Sequence, residues 1–186
     1  MTVTVDAWYD IESFADLAHT MIGFLEGTVA ETPTHGGPLD PESINITHDL
    51  VELTRRGLIT DGSQPGLISP TLRQRACVDL LTRNVSVAQD LILGLGHSEL
   101  LVLVAEPGVE LWQNLPMTCW DGEFGTWAGR LGEFHRPHWY DRLGPQASPV
   151  VDQMCFVQVL DLQWGRERYL WDQLHAAVDA LALPIL

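Results

Sequence analysis

The chain has 186 residues, 46% of them apolar, and a formal charge of −15 at pH 7. That is enough chain for a single folded domain over residues 1–186 with a substantial core. All ten basic residues are arginine. A basic patch for nucleic-acid phosphates or an anionic membrane surface is therefore not expected, and chemistry that requires a lysine is excluded.

No apolar run approaches the length of a membrane span; the longest, around residues 100–105, is strand-sized. Residues 1–6 carry neither a basic leader nor an apolar signal core, so a cytoplasmic location is expected. Cys77, Cys119 and Cys155 are odd in number and lack short metal spacing, which reads as reduced, buried thiols.

Residues 1–30 form an N-terminal helical segment. Ser13 with Asp16 three residues on marks a helix start, Phe14, Leu17, Met21 and Leu25 give its apolar stripe, and Gly27 stops it. A loop rich in Pro, Gly and Thr follows over 31–41 and carries His35. Asp40-Pro41-Glu42 begins a second helix running to about Arg56, with Gly57 as its stop. Ile46, Leu50 and Leu53 mark one face, with Ile44 and Val51 nearly opposite, as in a helix packed between layers. Leu58-Ile59-Thr60 then reads as a short buried strand that opens into a polar turn, Asp61-Gly62-Ser63-Gln64, and closes on Pro65-Gly66.

Residues 71–82 alternate as a strand. Ser86–Gln89 reads as a capping box for a helix ended by Gly94 and Gly96. Residues 99–106 form a buried strand, Pro107-Gly108 a turn, and 109–113 and 116–120 further strand pieces. Residues 121–135 have helix-like apolar spacing, against which Gly125, Gly129 and Gly132 each weigh roughly 1 kcal/mol. A Pro-containing connection spans 135–150, a strand 154–162, and a helix 166–183 ended by Pro184. Helices and strands alternate while hairpin-like turns also occur. The class is α/β or α+β: a mixed sheet flanked by helices.

Several residues invite a chemical reading. His135 and His138 lie three apart but need further partners to hold a metal, Pro137 disfavours a regular helix there, and no metal is expected. His48 beside Asp49 has the makings of a general base, weighed against a solvated helix face. Arg75 near Cys77 favours a thiolate, weighed against a buried structural cysteine. No nucleophile elbow and no hydrolase-type carboxylate pair stands out in the chain.

The order Pro41-Glu42-Ser43, Leu50, Leu53, Arg55, Gly57, Thr60, Ser63-Gln64-Pro65, Gln74-Arg75-Ala76 resembles the C-terminal regulatory domain of eukaryotic methylenetetrahydrofolate reductase. The spacing from Glu42 to Thr60 to Ser63 matches without a gap. Weaker similarity continues at Pro107-Gly108, Trp120–Glu123 with Trp127, Phe156–Asp161 and Leu170-Trp171, so the resemblance covers about residues 40–183. The Ser-Gln-Pro segment also looks like that of small actinobacterial proteins of about this size.

The resemblance implies a free-standing regulatory-domain-like protein that binds S-adenosylmethionine, S-adenosylhomocysteine or a related adenosyl or amino-acid metabolite. It implies ligand contacts at Glu42, Ser43 (a threonine in the family), Thr60 and Ser63, with Gln64 beside them. The family's later ligand threonines fall near Val102 and Leu115 here, where no threonine stands. The reductase barrel is missing from this chain, so FAD, NADPH and reductase activity are not implied. The alternative is a small enzyme of specialised metabolism on the same scaffold, with Glu42, His48 and Asp61 as acid–base candidates. A third reading is an acidic partner-binding domain whose pocket is filled by Leu115 or Trp112.

Overall fold

A computed structural model of the chain describes residues 7–132 and 135–181. The expectations for residues 1–6, for 133–134 and for the end of the last helix beyond 181 lie outside the described residues. Helix α1 (Phe14–Leu25) starts where Ser13 accepts a hydrogen bond from the Asp16 amide at 3.1 Å and donates to its carboxylate at 2.7 Å. The second helix is compound: a 3-10 stretch (Pro41–Ile46) leads into α2 (Thr47–Arg55), and Gly57, at φ +79°, turns the chain out of it. Ile44 is exposed rather than packed between layers, because it lies on the 3-10 stretch, where the α-helical spacing no longer applies.

Strand β1 (Leu58–Gln64) runs straight through the expected polar turn, and β2 (Leu67–Ile68) follows it. Both pair with β3 (Leu72–Thr82). Helix α3 (Val85–Leu95) is capped by Asn84, whose side chain accepts from the Val87 amide, not by the Ser86 box. Strand β4 (Leu100–Ala105) is a sheet edge and only half-buried, not the fully buried strand its composition indicated.

The two pieces expected over 109–120 are one bulged strand, β5 (Glu110–Trp120), and the ambiguous 121–135 segment is β6 (Glu123–Gly132), paired back on it. Asp121 and Gly122, both at positive φ, make the hairpin turn. Two of the glycines that argued against a helix are required by this hairpin. Gly129 and Gly132 stand at φ +99° and +87°, and a Cβ on Gly132 would lie 2.0 Å from the Val109 carbonyl oxygen.

The segment expected as a connection holds two short helices, α4 (Arg136–Arg142) and α5 (Ser148–Gln153). Pro137 begins α4 instead of preventing it, since a first-turn proline loses no helical hydrogen bond. Strand β7 (Cys155–Trp164) and helix α6 (Tyr169–Ala180) complete the fold.

The fold is of the expected α/β class, with a sheet that is antiparallel at every pairing among the described residues rather than mixed. Its longest path runs β4-β7-β3-β5-β6, with β1 and β2 also on β3. Directly opposed side chains share a face. Val78, Val159 and Val102 line up on one side, with Leu80, Val157 and Val104, inside the main core that the helices cover. On the other side Cys77 and Leu160 join Met117 and Ala128 of the β5–β6 hairpin in a second, smaller core. Among the described residues no helix is long and apolar enough to cross a membrane.

Candidate functional site

The site is organised by one extra residue in β1. Thr60 pairs with Leu80 and Gly62 with Asp79, so Asp61 is bulged out of the ladder. In a regular strand, residues three apart face opposite sides. The bulge slips the alternation by one and puts Thr60 and Ser63 on the same, helix-covered face. There the Ser63 and Ser43 hydroxyls share a hydrogen bond of 3.2 Å, and Thr60 sits 3.4 Å from the Thr54 hydroxyl of α2. Thr34, from the loop after α1, donates to Asp61 Oδ1. Ser43, Thr60, Asp61 and Ser63, with His35 and Asp40, line a recess of about 60 Å³ along the open edge of β1.

Gly62 and Ser63 also form part of the wall of a second cleft, of about 180 Å³, beneath the β5–β6 hairpin. Its other walls include Cys77, Asp79, Trp127 and Gln158. Gln158 donates to Asp79 Oδ1 at 2.6 Å and accepts from the Gly129 amide at 2.8 Å, which ties the hairpin to the sheet through the Asp79 carboxyl. Asp61 and Asp79 meet in a third, small and mainly apolar space that His135 and Phe156 help to close.

Both carboxyls are pushed above the ordinary carboxylate range. Burial is the main cause for Asp79, which rises to about 6; the Gln158 hydrogen bond opposes the rise, the Asp61 charge adds to it and His135 opposes it. Burial likewise raises Asp61, against the Thr34 hydroxyl and the charges of His135 and His138. The charge of one carboxyl acts on the other, so the two titrate as a pair.

The structure therefore brings Ser43, Thr60, Ser63 and Asp61 to one recess. It does not bring Glu42 there: Glu42 is exposed and accepts a hydrogen bond from Gln74 at 3.1 Å. Gln64 lines the second cleft, but its amide is engaged as a clamp. It donates to the Arg75 and Met117 carbonyls and accepts from Thr118.

His48 lies elsewhere, on an open depression with Arg56, Arg168 and His175, so Glu42, His48 and Asp61 do not converge as an acid–base set. Its neighbour Asp49 is no solvated side chain. It is buried and held by Arg168 at 2.7 and 3.1 Å and by His175 at 2.9 Å, which locks α2 to α6. Cys77 is not activated. Burial, with the nearby Asp79 carboxylate, pushes its thiol well up, while Arg75 turns onto the Trp164 ring, 4.3 Å from its centroid. Neither Leu115 nor Trp112 fills a cleft; Leu115 packs on the smaller core and Trp112 is exposed beneath Arg130.

Asp79 and the approach of His135 to the two carboxyls were missed in the sequence. The available signal was a single charge inside the apolar run Cys77-Val78-Asp79-Leu80-Leu81, where an acid is costly unless it has a role.

A search of the curated proteins returns no match. A family model described as "Domain of unknown function (DUF6919)" matches residues 3–181, and the chain belongs to that family.

Proposed function

We propose that the recess beside β1 binds a small polar metabolite: S-adenosylmethionine, S-adenosylhomocysteine or a related adenosyl or amino-acid compound. The observation that carries this reading is the convergence of Ser43 with Thr60, Asp61 and Ser63 around one opening, through the 3.2 Å Ser43–Ser63 contact and the bulge at Asp61. The Pro41–Ala76 resemblance supports the adenosyl class. Size refines it: ligand pockets span roughly 300–1,000 Å³, and a recess of about 60 Å³ takes only one end of such a molecule. In this reading the amino-acid end sits among the hydroxyls and the remainder extends past Gly62 toward the second cleft. The function is binding, in the cytoplasm, where the free thiols and such a ligand belong, with no FAD or NADPH.

Titration calorimetry of the full chain with S-adenosylmethionine and S-adenosylhomocysteine tests the reading. Heat of binding is expected, weakened three- to tenfold by Ser43→Ala or Ser63→Ala, about the worth of one hydrogen bond. No heat with either compound at millimolar concentration overturns it.

A second reading, a small enzyme on the same scaffold, is favoured by the Asp61–Asp79 pair, because a carboxyl that titrates near neutral pH suits acid–base work. Mass spectrometry of the incubated ligand separates the two. Methylthioadenosine, S-adenosylhomocysteine or homoserine lactone appearing from S-adenosylmethionine supports the enzyme, and unchanged ligand over days supports the binding module.

A further inference from the structure

We infer that the recess and the second cleft are two lobes of one site selective for a ligand that carries a positive charge, an ammonium or a sulfonium, held between Asp61 and Asp79. This rests on the binding reading above and deepens it by naming the charge of the ligand.

The two lobes share Gly62 and Ser63 as a common wall. Asp61 lines the first lobe and Asp79 the second. At Gly62 no side chain stands between them, and a Cβ there would lie 3.1 Å from Asp79 Oδ2. Each carboxyl has one oxygen committed within the protein: Thr34 donates to Asp61 Oδ1 and Gln158 to Asp79 Oδ1. The Oδ2 atom of each accepts no side-chain hydrogen bond among the described residues.

Each lobe thus has one of these acids with an oxygen to spare, and the two acids meet in the small third space beside them. Asp40 adds a third acid on the first lobe, and among the described residues no arginine lines either lobe. Among the described residues the remaining titratable groups around the pair are His35 from the loop, Cys77 from β3, and His135 and His138 from the start of α4. The hydroxyls of Ser43, Thr60 and Ser63 serve neutral polar atoms and favour neither sign of charge.

The electrostatics select the ligand. A phosphate or a polycarboxylate entering either lobe meets the like charge of these acids, with His35 the one basic side chain among the described residues lining the lobes. A cation between two carboxyls removes their mutual repulsion and compensates their burial, so both ionise on binding. Ligand binding is then coupled to proton release.

The test is calorimetry on the full chain with three adenosyl probes of different charge, on wild type and on Asp79→Asn. S-adenosylmethionine has a sulfonium and an ammonium, S-adenosylhomocysteine only the ammonium, and methylthioadenosine neither. S-adenosylmethionine is expected to bind at least tenfold more tightly than methylthioadenosine. Asp79→Asn should remove most of that ratio while leaving methylthioadenosine unaffected. S-adenosylhomocysteine reports which cation is read: close to S-adenosylmethionine means the ammonium, close to methylthioadenosine the sulfonium.

Equal affinity for all three, unchanged in Asp79→Asn, overturns the charge inference and leaves the binding reading intact. Binding of none overturns the adenosyl reading. The charge inference is then decided with S-methylmethionine against methionine: binding of the sulfonium that is lost in Asp79→Asn upholds it, and binding of neither overturns it. Circular dichroism of the variant confirms that a lost preference is not a lost fold.

Discussion

Replacing Asp79 by asparagine should make the protein more stable at neutral pH. Asp79 stands partly buried in β3, with the Asp61 carboxyl nearby, and its pKa rises from 3.8 to about 6. Ionising a carboxyl so placed costs roughly 3 kcal/mol, at about 1.4 kcal/mol for each pH unit that separates the folded and unfolded values. The sign follows from proton binding. Between pH 3.8 and about 6 the folded chain holds a proton at Asp79 that the unfolded chain has lost, so this carboxyl lowers stability as pH rises through that window.

Asparagine imitates the protonated form, and its oxygen can still accept the Gln158 hydrogen bond now made at 2.6 Å. Solvent at the partly open carboxyl trims the effect to on the order of 1–3 kcal/mol above pH 7, with no gain below pH 4. Urea unfolding of both proteins from pH 4 to 8 measures the difference. A variant less stable than wild type at pH 7.5, or an advantage that does not grow with pH, would refute the account of Asp79 as a strained carboxyl kept for a ligand.

Three further outcomes follow from the same geometry. Asp49→Asn should destabilise by roughly 1–3 kcal/mol, below the usual cost of breaking a buried pair because Arg168 is half exposed. Burial raises Asp49, but its bonds to Arg168 and His175 outweigh this and leave it below the ordinary value, so its contribution is present above pH 3.8 and fades as pH falls further; urea midpoints from pH 2 to 7 check both. Gly132→Ala should cost more than about 3 kcal/mol in the same assay, since its Cβ would meet a backbone carbonyl oxygen at 2.0 Å at φ +87°. Cys77, buried and with its thiol pushed up, should resist iodoacetamide at pH 8 in the native chain and react on unfolding, as peptide mass spectrometry would show.

Local signals read correctly where one interaction dominates. Ser13 and Asp16 sit one turn apart and satisfy each other, so the start of α1 was legible, and Gly27 and Gly57 mark helix ends because only glycine takes positive φ cheaply. The β5–β6 hairpin was not legible. Phe124, Trp127 and Leu131 fall at helical spacing, and three glycines only weakened that reading. What decides the segment is non-local, the pairing of Leu115, Pro116 and Thr118 with Ala128, Trp127 and Thr126. The two helices at 136–153 were hidden because prolines that begin a helix look, in sequence, like prolines that prevent one.

The candidate site was legible by composition but not by geometry. Asp-Gly followed by Ser-Gln-Pro reads as a turn, and a turn presents all its polar groups in one direction. The strand β1 instead divides them. Thr60 and Ser63 go to the helix side, and Gln64, paired with Cys77, goes to the hairpin side, where Thr118 and the Met117 carbonyl hold it. Only the bulge at Asp61 reconciles Thr60 with Ser63, and a bulge is a property of pairing with β3, not of nine residues. That same pairing sets Gly62 opposite Asp79 and so brings the second carboxyl to the site. An extra residue in one strand therefore accounts for both the shared hydroxyl face and the acid pair. Removing it makes the sharpest structural claim: deleting Asp61 leaves Thr60, Gly62 and Ser63 in plain alternation against Leu80, Asp79 and Val78, so the β1–β3 ladder and the Ser43–Ser63 contact should persist, as amide exchange on β3 would report, while the loss of the Asp61 carboxyl should remove the preference for S-adenosylmethionine over methylthioadenosine.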